Sequence, residues 1–111
     1  MATKYDLTKY AAFAKQAMEH NRNNDEHYTW TLKAINKGSI KFNWSYLGKD
    51  EEFVLTVKEY DGDPYVTVAM PCGVYNITLL VGEEFYHDVK SVEMGIYKAI
   101  IMTADKAKRV F

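Results

Sequence analysis

Cysteine is nearly absent from this chain: among 111 residues, Cys72 is the one thiol. No internal disulfide can form, which fits a reducing, cytoplasmic setting. Cys72 sits in "MPCGVY" with no histidine beside it, so it reads as a small residue flanking a turn rather than a reactive thiol. Long apolar runs are missing too. "MATKYDLTKYAAF" has no secretory h-region, and no stretch of roughly 18 apolar residues occurs, so neither secretion nor membrane insertion is indicated. An excess of charge is also lacking, with 14 Lys plus Arg against 15 Asp plus Glu, so any pull toward nucleic acid must come from local patterning. There is no internal repeat, no low-complexity stretch and no glycine-rich phosphate loop; Gly38, Gly48, Gly62, Gly73 and Gly82 all fall where turns need them. Nothing points to a cofactor.

A hydrophobic fraction of 48% and an aromatic fraction of 14% suffice for a folded core, and the length suits a single α+β domain over residues 1–111. Residues 4 to 20 carry Tyr10, Phe13, Ala14, Ala17 and Met18 at helical spacing, with Thr3 or Asp6 as N-cap, and the polar "NRNNDEH" at 21 to 27 ends that helix. From Tyr28 to Val81 the apolar period becomes two. Strands are predicted over 28–35, 39–47, 52–60, 64–70 and 74–81. A second amphipathic helix follows through Val89, Val92, Ile96, Tyr97, Ile100 and Ala104, and closes on the basic "KAKR".

Loop length fixes hairpin register, so each turn tests the stripe it must join. A three-residue "NKG" loop sets Ala34 against Ile40, Leu32 against Phe42, Trp30 against Trp44 and Tyr28 against Tyr46. An even loop around Lys49-Asp50 sets Tyr46 against Phe53, Trp44 against Leu55 and Phe42 against Val57. The two-residue Asp61-Gly62 turn sets Val57 against Val66, Leu55 against Val68 and Phe53 against Met70. A four-residue loop from Pro71 to Val74 sets Met70 against Tyr75, Val68 against Ile77 and Val66 against Leu79. All four agree on one apolar side, which predicts a five-stranded antiparallel meander with both helices packed on that face. The order of helix, five strands and helix is similar to that of the frataxin-like architecture. The acidic first helix of that family has no counterpart here, where Asp6 and Glu19 stand among Lys4, Lys9 and Lys15, so none of its residues is carried over.

The same register arranges the polar side of the sheet. Lys33 falls opposite Lys41, Lys41 opposite Lys58 and Lys58 opposite Tyr65; beside them Thr31, Asn43, Thr56, Thr67 and Thr78 form a row. Lysines abreast repel by up to roughly 1 kcal/mol per pair, a conflict that folding does not require. This face is therefore the candidate binding surface. It suits a protein partner first, and also a small anionic ligand or a nucleic-acid backbone stacked on Tyr65, although three cations are few for nucleic acid. The uncharged "GVYNITLLV" makes the last strand an edge open to pairing, including homodimer formation. These features suggest a non-enzymatic adaptor or inhibitor; phage accessory proteins are one such kind, but no residue specifies that origin. The rival is a metal-binding protein or enzyme built on His20, His27 and His87 with Glu19, Asp25, Glu26 and Asp88, whose spacing matches no established metal motif.

Overall fold

An extended chain puts alternate side chains on opposite faces. Ile40, Phe42 and Trp44 accordingly share one face and are at most 1% exposed. The computed structural model describes residues 5–24, 28–69, 76–81 and 91–110. A 3-10 turn, Leu7–Tyr10, leads into α1 (Ala11–Asn24). The strands are β1 (Thr29–Ile35), β2 (Ile40–Tyr46), β3 (Lys49–Tyr60), β4 (Asp63–Ala69) and β5 (Asn76–Leu80), and α2 (Val92–Val110) follows. The strands form one antiparallel sheet in the order β1-β2-β3-β4-β5, the α+β arrangement expected.

Both helices cover the same side. α1 lies against β1, α2 against β4 and β5, and the helices pack on each other. Between them and the sheet are Met18, Trp30, Phe53, Leu55, Val66, Val68, Leu79, Ile96 and Ile100, all nearly inaccessible. At about 1.5–3 kcal/mol per large side chain buried, this layer is the main force holding helices to sheet. Among the described residues, no helix is long and apolar enough to cross a membrane.

The first helix differs from expectation at both ends. Asp6 is the cap, its carboxylate accepting from Thr8 N at 3.1 Å, and what it caps is the 3-10 turn. Thr3 lies outside the described residues. At the other end α1 runs on through the asparagine stretch. Asn21 is buried and donates from Nδ2 to the Ile100 carbonyl of α2 at 3.3 Å, and Asn24 donates to the His20 carbonyl at 2.9 Å. Side-chain amides that compete with a helix when solvated here serve as an interhelical tether and a C-terminal cap. Ser91 caps the start of α2, its Oγ accepting from Met94 N at 3.2 Å; Val89 and Asp88 lie outside the described residues.

The register holds across β3, β4 and β5. Asp61 and Gly62, at φ 53° and 85°, form the left-handed pair of a primed two-residue turn, and Val57 faces Val66 while Leu55 faces Val68. Val68 faces Ile77 and Val66 faces Leu79, also as expected. The pairs that involve Met70 and Tyr75, and the loop 71–74, lie outside the described residues.

Two corrections fall on the first half of the sheet. Trp30 faces Trp44 and Leu32 faces Phe42 as expected, but Ile40 faces Ile35 rather than Ala34, because a bulge at Lys33 lets one extra residue into β1. Its cause is Asn36, whose Oδ1 accepts from Gly38 N and Ser39 N, both at 2.9 Å, and so closes a turn one residue longer than "NKG". The bulge turns Ile35 toward the core and leaves Ala34 exposed, which buries the larger side chain.

The second correction is larger. The β2–β3 turn is Leu47-Gly48, at φ 48° and 83°, and not a loop around Lys49-Asp50. Phe42 therefore faces Phe53, Ile40 faces Leu55 and Trp44 faces Glu51. The shift is even, so the apolar face is unchanged, but every cross-strand neighbour moves.

Candidate functional site

The face of the sheet away from the helices carries the residues singled out above, and the corrected register redistributes them. Lys58 faces Tyr65, and Thr56, Thr67 and Thr78 stand abreast with the Thr67 and Thr78 hydroxyls 3.4 Å apart. Thr31 faces Asn43. These neighbours were expected. The row of lysines does not form: Lys41 faces Val54 on one side and Ala34 on the other, and Lys33 is the exposed bulge residue. Asn43 faces Glu52, not Thr56.

Lys58 is four residues along β3 from Val54, the partner of Lys41, which separates the two ammonium-bearing positions by ~13 Å along the strand. That exceeds the screening length of about 8 Å at physiological ionic strength. The two lysines do not stand side by side, and the repulsion that singled them out is relieved.

The shorter turn also extends β3 back to Lys49, which places Asp50 on the face, and the slip sets Glu52, outward in either register, opposite Asn43. Asp50 faces Ser45, and its Oδ1 accepts from Asn43 Nδ2 at 2.7 Å and from Ser45 Oγ at 3.1 Å. Charge-assisted bonds of this kind fix both partners. Asn43 is consequently only 8% exposed despite lying on the open face, and its Oδ1 has no hydrogen-bond partner. Asp50, Glu52 and Lys41 give the β2–β3 half of the face charges of both signs. Beyond them, Val54 and Thr56 of β3, Tyr65, Thr67 and Ala69 of β4, and Thr78 and Leu80 of β5 form an uncharged area bordered by Lys58 and, at the start of β4, by Asp63. Within it Val54, Thr56, Tyr65, Thr67 and Leu80 are half-buried. The signal for this layout was the glycine at position 48, which fits the second place of a two-residue turn.

Among the described residues no group of three or more His, Cys, Asp or Glu side chains could hold a metal ion. His20 lies on α1, its ring 6.1 Å from that of Tyr97 and its Nε2 3.1 Å from Asn24 Nδ2. His27, His87, Asp25 and Glu26 lie outside the described residues, as does Cys72. Comparison with family models, curated proteins and solved structures finds no match for this chain.

Proposed function

We propose that this chain is a small non-enzymatic binding protein of adaptor or inhibitor type, acting in the cytoplasm and engaging a protein partner through the open face of its sheet. One observation carries the reading. The face has a charge-free centre of Thr, Val, Ala, Leu and Tyr side chains, with Lys41, Asp50 and Glu52 at its β2 border and Lys58 and Asp63 at the border by the β3–β4 turn. Protein interfaces have that anatomy, a charge-depleted middle with an aromatic anchor and a polar rim. Tyr65 is the anchor, and Thr56, Thr67 and Thr78 offer hydroxyls in a row across three paired strands. An anionic ligand or a nucleic-acid backbone is less well matched, since the lysines are far apart and Glu52 and Asp50 share the β2 border with Lys41.

The test is affinity capture followed by direct binding, with Thr67→Arg and the pair Lys41→Glu, Lys58→Glu as baits beside the unaltered chain. Thr67→Arg puts a cation in the middle of the patch on an outward position, so circular dichroism should be unchanged. Loss of the captured protein with Thr67→Arg supports the reading. Retention with Thr67→Arg and loss with the double charge reversal would transfer the function to an anionic ligand.

A further inference from the structure

Among the described residues, the large hydrophobic side chains left in water are Leu47, 86% exposed, and Met94, 43% exposed. They lie at opposite ends of the strand direction. β2 starts beside the β1–β2 turn, where Leu7 N donates to the Lys37 carbonyl at 3.1 Å, so the beginning of α1 is at that end. Leu47 caps the other end of β2. There Tyr28 packs against Tyr46 with ring centroids 4.6 Å apart, and Lys108 near the end of α2 has its Nζ 5.7 Å from the Tyr28 ring centre. The start of α2, with Met94, is therefore back at the end that Leu47 faces away from.

Each of the two residues belongs to a feature that folding leaves unexplained. Leu47 occupies the first turn position at φ 48°, a backbone region suited to Gly, Asn or Asp, and gains no burial there. The turn is held rigid by Asp50 bridging to Asn43 and Ser45. Met94 lines a mainly apolar cleft of about 530 Å³ between the two helices, formed with Phe13, Gln16, Ser91, Glu93 and Tyr97. The cleft is wide and open to solvent, so a leucine projecting from a turn tip can reach its apolar wall. The charges match as well, since Lys49 is two residues from Leu47 and Glu93 is on the wall of the cleft.

We infer that a second copy of this chain occupies the cleft, its Leu47 inserted beside Met94 and Phe13 and its Lys49 against Glu93. Because knob and cleft are at opposite ends, the contact is heterologous and copies add head to tail without closing. A hairpin tip buries less than the roughly 1,200 Å² of a standard interface, so the association is weak and visible only at high micromolar concentration. It does not use the open face.

Sedimentation of the full chain from about 10 to 500 µM tests this. The weight-average mass should climb steadily above the 12.8 kDa of one chain. Leu47→Asn, which suits the turn better, should stay monomeric at every concentration yet melt higher. Lys49→Glu and Glu93→Lys should each weaken association several-fold, and the double reversal in one chain should restore it, while Thr67→Arg should behave as the unaltered chain. A mass fixed at one chain throughout, or Leu47→Asn associating as before, overturns the inference. A plateau at twice the monomer mass does so too, and indicates a closed dimer such as one paired through β5. Met94→Lys should abolish association and leave the melting temperature within a few degrees; a large drop would show that the chain covers the cleft itself and would equally overturn the assignment.

Discussion

Replacing Leu47 by glycine should make this protein more stable, although leucine is the more hydrophobic residue. At φ 48° an L-residue with a Cβ crowds its own carbonyl, which disfavours the left-handed region by roughly 1–2 kcal/mol. Being 86% exposed, the leucine side chain recovers almost none of this through burial. Glycine removes the crowding but enlarges the freedom of the unfolded chain, which takes back about 0.4–1 kcal/mol. Asparagine relieves most of the strain without that entropy loss, so the expected order is Asn above Gly above Leu, with a net gain near 1 kcal/mol for Leu47→Asn. For a chain of this length that is a rise of about 3–5 °C in melting temperature. Thermal and urea denaturation followed by circular dichroism at low micromolar concentration, below the range proposed for association, give the answer. An unchanged or lowered midpoint for both variants would refute the strain argument, and with it the case that Leu47 is kept at the tip for a reason other than folding.

Three further outcomes follow from the same geometry. Trp30→Ala, at a side chain 1% exposed and in ring contact with Phe42 and Phe53, should cost about 3–5 kcal/mol in urea unfolding. Asp50→Ala removes the acceptor shared by Asn43 and Ser45 and should lower stability by about 1 kcal/mol, with faster amide exchange confined to the β2–β3 hairpin. The bond from the Thr8 hydroxyl holds the Asp6 carboxyl below its ordinary 3.8, helped by the Thr8 amide, Lys37 and Lys9. A carboxylate with a depressed value stabilises the fold above its unfolded pKa, and that contribution is lost as pH falls through the folded value. Acid titration of stability should therefore lose a component below pH 3.8 that is missing in Asp6→Asn.

The fold was legible because its signals were redundant. Alternation from Tyr28 to Val81 named the strands, and Asp61-Gly62 fixed one hairpin without ambiguity. The β2–β3 turn was not legible for two reasons. Lys49-Asp50 looked the more polar loop, and leucine is not a residue that left-handed turn positions select. A test based on which face is apolar cannot detect an error of four residues in the sum of paired positions, since the apolar face is the same before and after. The candidate site inherited both the success and the failure. Thr56 with Thr67 and Lys58 with Tyr65 depend on the unambiguous turn, Thr67 with Thr78 on the four-residue loop placed at 71–74, and all came out as neighbours. Lys33, Lys41 and Lys58 depended on crossing the two weaker hairpins, where the Asn36 side chain and the Leu47-Gly48 backbone decide the outcome, and they came apart. Neither effect is visible in hydrophobic periodicity.

Reading the open face as a protein-binding surface depends on Lys41 and Lys58 being separated, and a cysteine bridge measures that directly. In a Cys72→Ser background, Lys41→Cys with Val54→Cys puts two thiols on directly opposed residues, within the Cα separation of about 4.4–6.8 Å that a disulfide tolerates. Mild oxidation should bridge this pair rapidly and leave Lys41→Cys with Lys58→Cys reduced. Rapid bridging of the 41 and 58 pair, with 41 and 54 left open, would put the lysines side by side again and contradict the account.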